Sequence, residues 1–149
     1  MHATQRNRGF TAIEMFTVLI VISVLTAIAV PMWRRHLLRV QRADAIASLT
    51  TLAAAQDRFF GRNARYADGA QIAANPPAGL GLKTSSEHGF YSLEVRAAAD
   101  GLSYLATARV IASQGQAADT RCVEFSIDHV GIRRAVDDSG ADRSADCWR

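Results

Sequence analysis

The sequence of 149 residues lacks the motifs of the common enzyme families. Its histidines, at positions 2, 36, 88 and 129, are scattered, and it contains no Gly-x-Ser-x-Gly elbow, no His-Glu-x-x-His pair and no P-loop. The Gly79-Leu80-Gly81-Leu82 stretch lacks the third glycine of a dinucleotide-binding fingerprint. We therefore expect a protein that is not an enzyme and that needs no cofactor.

Excess positive charge is also small, because the formal net charge is +3 and two of the basic residues, Arg6 and Arg8, lie near the N-terminus. This balance is not that of a strongly basic nucleic-acid-binding protein. One basic cluster could hold lipid or DNA phosphates, and it consists of Arg34, Arg35, Arg39 and Arg42. No aromatic residues alternate with it, so we favour a solvated helical face and expect no nucleic-acid partner.

Cysteine is nearly absent, and the two cysteines, Cys122 and Cys147, are too far apart to form a Cys-x-x-Cys metal-binding pair. They could remain as two buried thiols or form a disulfide. In a small domain, a disulfide would add about 3.5 kcal/mol of stability in the chain-entropy model. Because such a bond requires an oxidising compartment, we expect the C-terminal domain to lie outside the cytoplasm.

Charge is missing altogether from Met15 to Trp33. As a helix, this run would be about 28 Å long at about 1.5 Å per residue, close to the hydrocarbon thickness of a bilayer. It has no polar face, which favours a membrane span over the core helix of a soluble protein. Glu14, at the start of the run, is costly in hydrocarbon and by default marks a functional site.

A short leader with Arg6 and Arg8 precedes the segment Gly9-Phe10-Thr11-Ala12-Ile13-Glu14, and the apolar run follows it. A secretory signal is instead cleaved after its apolar region. These residues resemble the precursors of type IV pilins and related pseudopilins, which share a short basic leader, a Gly, Phe-Thr-x-Ile-Glu and an apolar helix. Ala12 and Met15-Phe16 differ from the commonest residues of the family but keep the apolar character.

The resemblance implies that residues 1–9 are a leader that a prepilin peptidase removes after Gly9, and that Phe10 becomes an N-methylated N-terminus. Residues 10–33 would form the transmembrane and polymerisation half of a long helix. Glu14 would pair with the α-amino group of Phe10 in an adjacent subunit, or engage the inner-membrane assembly platform. The alternative is a carboxyl group that snorkels to the interface of a signal anchor.

Pro31 should kink or locally unwind this helix, because it removes a main-chain hydrogen bond. Such loosening could serve assembly, or it could be a simple interfacial kink. Beyond Pro31, apolar residues recur at spacings of three and four, which predicts an amphipathic half over residues 34–61. This half should end near Gly61, and its apolar stripe should be domain core.

Residues 62–149 are predicted to form a globular domain that is loop-like as far as residue 87. Four strands with short connections should follow as a β-meander, at Phe90–Arg96, Ser103–Ala112, Cys122–Asp128 and Ile132–Val136. The expected fold class is α+β, the pilin fold, with a long N-terminal helix packed on a small antiparallel sheet and a C-terminal region bounded by the cysteines.

Acidic residues are frequent between the cysteines, and some pseudopilins bind calcium in that region. The residues concerned are Asp137, Asp138, Asp142 and Asp146. Their spacing does not match an EF-hand, and arginines are interleaved with them. We therefore expect paired, solvated loop charges and no metal site.

Counting arginines on the two sides of the apolar run would place the C-terminal domain in the cytoplasm. The favoured disulfide and the peptidase-type leader require the opposite orientation. We expect the domain to lie in the periplasm of a Gram-negative bacterium, anchored in the inner membrane, and later on a cell-surface pilus.

The ending Asp146 to Arg149 and the turn from Asp128 to Arg134 resemble, more weakly, the short minor pilins of the PilE type. We therefore expect a minor subunit of a type IV pilus that supports pilus biogenesis, twitching motility or adhesion. Three alternatives stay open: a pseudopilin of a type II secretion system, a signal-anchored periplasmic binding protein and a DNA-uptake pilin.

Overall fold

The structure is a computed structural model and describes residues 11–113 and 115–149. Gly9 and Phe10, the predicted cleavage and methylation positions, lie outside these residues. The chain divides into two compact units, the first ending at Leu37 and the second spanning Leu38–Arg149.

One helix, α1, runs from Ala12 to Asn63 and contains 52 residues. It extends past Gly61, where the sequence predicted its end, since Gly61 here remains helical. The chain also remains α-helical through Pro31, so the unwound alternative is not adopted, and a kink at Pro31 stays a prediction. A single proline removes only one intrahelical hydrogen bond, which the neighbouring turns can tolerate.

A four-stranded antiparallel sheet follows α1 in the second unit, in the order β1-β2-β3-β4. All four predicted strands are present, with ends that differ by one or two residues, as strand limits commonly do. Their observed limits are Tyr91–Ala97, Tyr104–Val110, Glu124–Asp128 and Arg133–Val136. The β-meander is therefore confirmed.

The core lies between the second half of α1 and one face of the sheet. Alternate residues of β1 and β2 are buried, as the period of two requires for a half-covered sheet. From α1, Leu49, Leu52 and Phe59 are almost completely buried, which confirms the predicted core stripe. From the sheet, Tyr91 and Phe125 meet edge to face at 5.7 Å between ring centroids.

The segment between α1 and β1 is largely irregular, as predicted, apart from a short 3-10 helix at Gly69–Gln71. Its compactness depends on Gly79, where an added Cβ atom would lie 2.3 Å from the carbonyl oxygen of Gln71. That carbonyl also accepts a hydrogen bond from the amide of Leu80 at 2.9 Å. The loop therefore folds back on itself and gives β1 a defined neighbour.

The C-terminal residues close the β4 edge of the sheet. Cys122 and Cys147 form a disulfide, which confirms the favoured alternative. Cys147 ends a short helix, α2 (Ser144–Cys147), which the sequence did not predict. The amide of Ala135 donates to Ser144 Oγ at 2.9 Å, and the carbonyl of Ala135 accepts from the amide of Arg143 at 2.8 Å. Main-chain groups that could pair with a foreign strand are thus occupied.

Candidate functional site: the exposed apolar segment of α1 and its globular support

The first turn of α1 is capped by Thr11. The amide of Glu14 donates to the Thr11 carbonyl at 3.1 Å and to Thr11 Oγ1 at 3.3 Å. The Thr-x-x-Glu spacing is the sequence signal of a capping box, so this role of Thr11 could have been found from sequence. It also gives Glu14 a local role, because a carboxylate in the first turn favours the helix macrodipole.

Glu14 lies on the surface of the chain, and no ion pair involves it within residues 11–113 and 115–149. It begins a segment whose other side chains, as far as Trp33, carry no charge. An ionised carboxylate in such surroundings requires a cation or a hydrogen-bond donor. The described part of this chain supplies no such cation in an ion pair.

The hydroxyl groups of the apolar segment are satisfied within the helix. Thr17, Ser23 and Thr26 each donate to a carbonyl three or four residues earlier, at 2.8 to 2.9 Å. A polar group left unpaired in hydrocarbon costs several kcal/mol, so internal pairing suits a segment that water does not solvate. These three residues therefore do not contradict a membrane or filament environment.

Large apolar side chains of this segment are exposed to an unusual degree, from 42% at Val30 to 73% at Ile13. By length and composition alone, α1 is able to cross a membrane. Soluble monomers rarely expose a continuous apolar surface of this size. The segment is therefore a candidate surface for contact with lipid or with other helices.

The predicted basic cluster is split by the tertiary structure. Arg34, Arg35 and Arg39 are exposed, but Arg42 donates to both carboxylate oxygens of Asp119, at 2.6 and 2.8 Å. Its side chain is only 14% exposed. The prediction of a solvated face is therefore wrong for Arg42, which fastens the loop before β3 to α1. Asp119 is so distant in sequence that no local pattern could have indicated this pair.

A second tie holds the loop before β1. Asp44, on α1, accepts hydrogen bonds from the amide of His88 at 3.3 Å and is 3.1 Å from His88 Nδ1. Burial raises the pKa of Asp44, but hydrogen bonds from Ser86 and His88 outweigh it and hold this pKa below its usual value. His88 thus has a structural partner that its isolated position in the sequence did not reveal.

Among the acidic residues between the cysteines, Asp137 stabilises the turn that contains it. Asp137 accepts hydrogen bonds from Ser139 and Ala141 through Oδ1 and from Arg143 Nε through Oδ2 at 2.9 Å. These bonds hold the pKa of Asp137 well below its usual value. Both carboxylate oxygens are therefore already used, which agrees with the expected pairing. The expected solvation is wrong for Asp137, because its side chain is buried.

An exposed apolar helical segment followed by a small disulfide-closed antiparallel sheet is the architecture that the sequence predicted for a pilin-like protein. The comparisons make the class specific. A model of the family described as type IV minor pilin ComP, DNA uptake sequence receptor, matches residues 31–126. This is more than half of the chain, and the chain belongs to the type IV pilins.

Two further proteins are similar to this chain. The type IV major pilin protein PilA of Myxococcus xanthus (strain DK1622) is 40% identical to it over 98 residues, or 64% of this chain. The match covers 44% of PilA, so it spans less than half of that protein's length. A type IV pilin structure from Shewanella oneidensis is 28% identical, with a TM-score of 0.46, over 64% of this chain and 89% of that one.

The match to the family model confirms the predicted pilin family, and the long helix with its four-stranded antiparallel sheet confirms the expected α+β pilin fold. Cleavage after Gly9, methylation of Phe10 and the partner of Glu14 stay predictions.

Proposed function

We propose that this chain is a structural subunit of a type IV pilus, of the minor class, which enters the filament through the first half of its helix. A prepilin peptidase removes residues 1–9, and Phe10 becomes the methylated N-terminus. Before assembly, residues 10–33 hold the subunit in the inner membrane with the sheet domain in the periplasm. The observation that carries this proposal is the exposed apolar segment of α1, with its hydroxyls paired internally.

The role proposed for Glu14 follows from its surroundings. When helices pack together in a filament core, an unpaired carboxylate is strongly destabilising, whereas a paired one can define the register between subunits. The cation that we propose for this pair is the α-amino group of Phe10 in an adjacent subunit. Contact with the assembly platform would use the same carboxylate before polymerisation.

Replacement of Glu14 tests this proposal. Glu14→Leu should insert into the membrane normally but lower incorporation into sheared pili at least about tenfold, the ratio that corresponds to about 1.4 kcal/mol. Glu14→Gln separates charge from size and should also incorporate poorly. Glu94→Leu, which removes an exposed carboxylate of the sheet, is the matched control and should incorporate normally. Normal incorporation of both Glu14 variants would refute the pairing.

The minor class is supported by the match of residues 31–126 to a family described as minor pilins, although PilA is described as a major pilin. Immunogold labelling of sheared filaments should give sparse particles, and mass spectrometry should find a methylated Phe10 at the N-terminus. Continuous labelling would instead make the chain a major subunit. If this chain is absent from the filaments and its loss causes a defect in protein secretion, the chain is instead a pseudopilin.

Capture of DNA is a second candidate function, since the matched family is described as a DNA uptake sequence receptor. In the sheet domain, Arg133 and Arg134 are exposed on the edge strand β4. In a gel-shift assay, binding of the full chain to double-stranded DNA should then weaken as the salt concentration rises. The double variant Arg133→Gln with Arg134→Gln should reduce the salt dependence of this binding. No shift at low salt would remove this candidate.

A further inference from the structure

An open groove of about 830 Å³ lies between the second half of α1 and the loop before β1. Apolar side chains form much of its lining, among them Val40 and Ala47 from α1 and Leu82 and Phe90 from the loop. Val40 is 56% exposed, so apolar surface at the edge of the groove is in contact with solvent. A groove of this volume has room for a long side chain of a partner.

The carboxylate of Asp44 lies in the wall of this groove, and its side chain is only 6% exposed. One oxygen, Oδ1, accepts a hydrogen bond from the amide of His88 at 3.3 Å and lies 3.1 Å from His88 Nδ1. The other oxygen, Oδ2, is buried and has no hydrogen-bond partner in the described part of the chain. A buried acceptor without a donor destabilises a fold, so a donor from another molecule would be stabilising here.

Asp44 also brings a negative charge that the lining of the groove does not balance. Burial opposes its ionisation, but Ser86 and His88 hold the pKa of Asp44 below its usual value, so the carboxylate is charged at neutral pH. The Ser86 hydroxyl nevertheless lies outside ordinary hydrogen-bonding geometry to Oδ2. His88 is charged only when protonated, and its neutral ring supplies a hydrogen bond but no charge.

The other two charges of the lining cancel each other. Lys83 Nζ lies 3.3 Å from the Glu87 carboxylate, and both side chains are largely exposed to water. When His88 is neutral, the groove therefore combines apolar walls with one buried, unbalanced carboxylate. Such a site favours an occupant that has an apolar body and a cationic end.

A lysine side chain fits this description better than an arginine side chain does. A guanidinium group pairs best with both oxygens of a carboxylate, but His88 already occupies Oδ1. An ammonium group is a compact charge that needs only Oδ2, and its chain of methylene groups would pack against the apolar walls. Because Oδ2 is buried, a neighbouring side chain must first move. The His88 side chain is 71% exposed and has room to turn aside.

The lysine must come from a different chain. Lys83 is the only lysine of this sequence, and it is already paired with Glu87 at the groove. A sparse subunit of a filament meets mainly other pilins. We propose that the groove receives a lysine side chain, flanked by apolar residues, from a different pilin subunit, and that its ammonium group pairs with Asp44 Oδ2. This docking rests on the proposed function, since only a chain inside a filament has such neighbours.

Photo-crosslinking in piliated cells tests the contact directly. The full chain would carry p-benzoylphenylalanine at position 40, at the edge of the groove, and sheared filaments would be irradiated. Mass spectrometry should find this chain joined to a lysine-containing segment of another pilin. The same probe at position 130, in the turn after β3, is the control and should not give this product, because Val130 is 70% exposed but does not line the groove. Products from position 40 only with lipid, with a second copy or with a segment without lysine would overturn the docking.

Removal of the charge gives an independent test. Asp44→Asn keeps the size of the side chain and should lower incorporation into sheared pili about tenfold, because the ammonium group of the partner loses its carboxylate. Changing the partner lysine found by crosslinking to Gln should have a similar effect. The two changes together should cost little more than either alone, as expected for residues in contact. Asp57→Asn removes an exposed carboxylate from the same helix and is the matched control, which should incorporate normally.

A purely structural role of Asp44 predicts a different result. If Asp44 only fastened the loop before β1 through His88, then His88→Ala would lower incorporation as much as Asp44→Asn does. Under the docking proposal, His88→Ala keeps the carboxylate and should incorporate normally. Thermal unfolding checks that each variant still folds. If Asp44→Asn does not fold, the crosslink from position 40, made with Asp44 intact, decides the question.

The outcomes separate this docking from the proposed function. Absence of the unaltered chain from filaments would overturn the proposed function, on which the docking rests. Normal incorporation of the unaltered chain together with normal incorporation of folded Asp44→Asn would overturn only the docking of a lysine in the groove.

Discussion

The two halves of α1 belong to one helix but meet different surroundings. In the unit that ends at Leu37, Phe16 is 63% exposed, whereas in the second unit Phe59 is 1% exposed. The first half is apolar all round, so it has no preferred inner face within its own chain. The second half is apolar along one stripe, which packs on the sheet. The same helical geometry therefore leaves apolar side chains exposed in one half and buries them in the domain core in the other.

The largest difference between the two halves should appear when each of these two phenylalanines is replaced by alanine. Phe59→Ala should lower the free energy of unfolding of the sheet domain by about 4 kcal/mol, because it leaves a cavity in the core. Phe16→Ala should change that free energy by less than about 0.5 kcal/mol, as an exposed position does. Urea unfolding of the full chain in detergent, followed by near-ultraviolet circular dichroism, measures both. Equal effects of the two variants would show that the halves are not energetically distinct.

The next effect concerns the disulfide, which belongs only to the second unit. Replacing Cys122 and Cys147 together by alanine should cost about 3.5 kcal/mol of the domain's unfolding free energy in the chain-entropy model. Membrane insertion of the apolar segment should not change, since that segment has no part in the bond. Unaltered protein treated with dithiothreitol is the control and should lose a similar amount. A loss under about 1 kcal/mol in both would contradict the expected role.

The smallest effect is a pH dependence confined to the sheet domain. Hydrogen bonds from Ser139 and Arg143 hold the pKa of Asp137 below its unfolded value of about 3.9. Its contribution to stability is therefore complete above about pH 4 and is lost as the pH falls further, towards the folded pKa. Asp137→Asn should flatten the dependence of the urea midpoint on pH below about pH 4. Asp138→Asn, at the exposed neighbouring position, should not, and an identical curve for both variants would exclude this origin.

Local patterns were sufficient for most of α1 and for the four strands, but not for every helix end or for the shortest helix. The uncharged run to Trp33 and the later spacing of three and four indicated α1. The alternation in the strands indicated the meander. The predicted limits of these elements differ from the observed ones by at most two residues. Glycine at position 61 did not end the helix, because its φ here is not in the left-handed region and the intrahelical hydrogen bonds continue. The short helix that ends at Cys147 was missed, since one helical turn has almost no periodic signal.

Long-range pairs were beyond the reach of the sequence. Gln56 is completely buried and bonds both main-chain groups of Ala67 at 2.8 Å, yet nothing near it marks it as different from other helical glutamines. In the sequence, Arg42 cannot be distinguished from the exposed arginines near it. Only the structure shows that Asp119 pairs with it. Such pairs form only when folding removes both partners from water and each must then satisfy the other.

The sequence by itself indicated the class of this protein through the segment from Gly9 to Glu14, an uncharged run long enough to span a bilayer as a helix, a set of strands and two cysteines. Those features depend on residues that are neighbours along the chain or repeat with a helical or strand period. The tertiary structure decided which arginine is structural and how the loop before β1 is held. These depend on residues brought together from distant parts of the chain, and only packing specifies such neighbours.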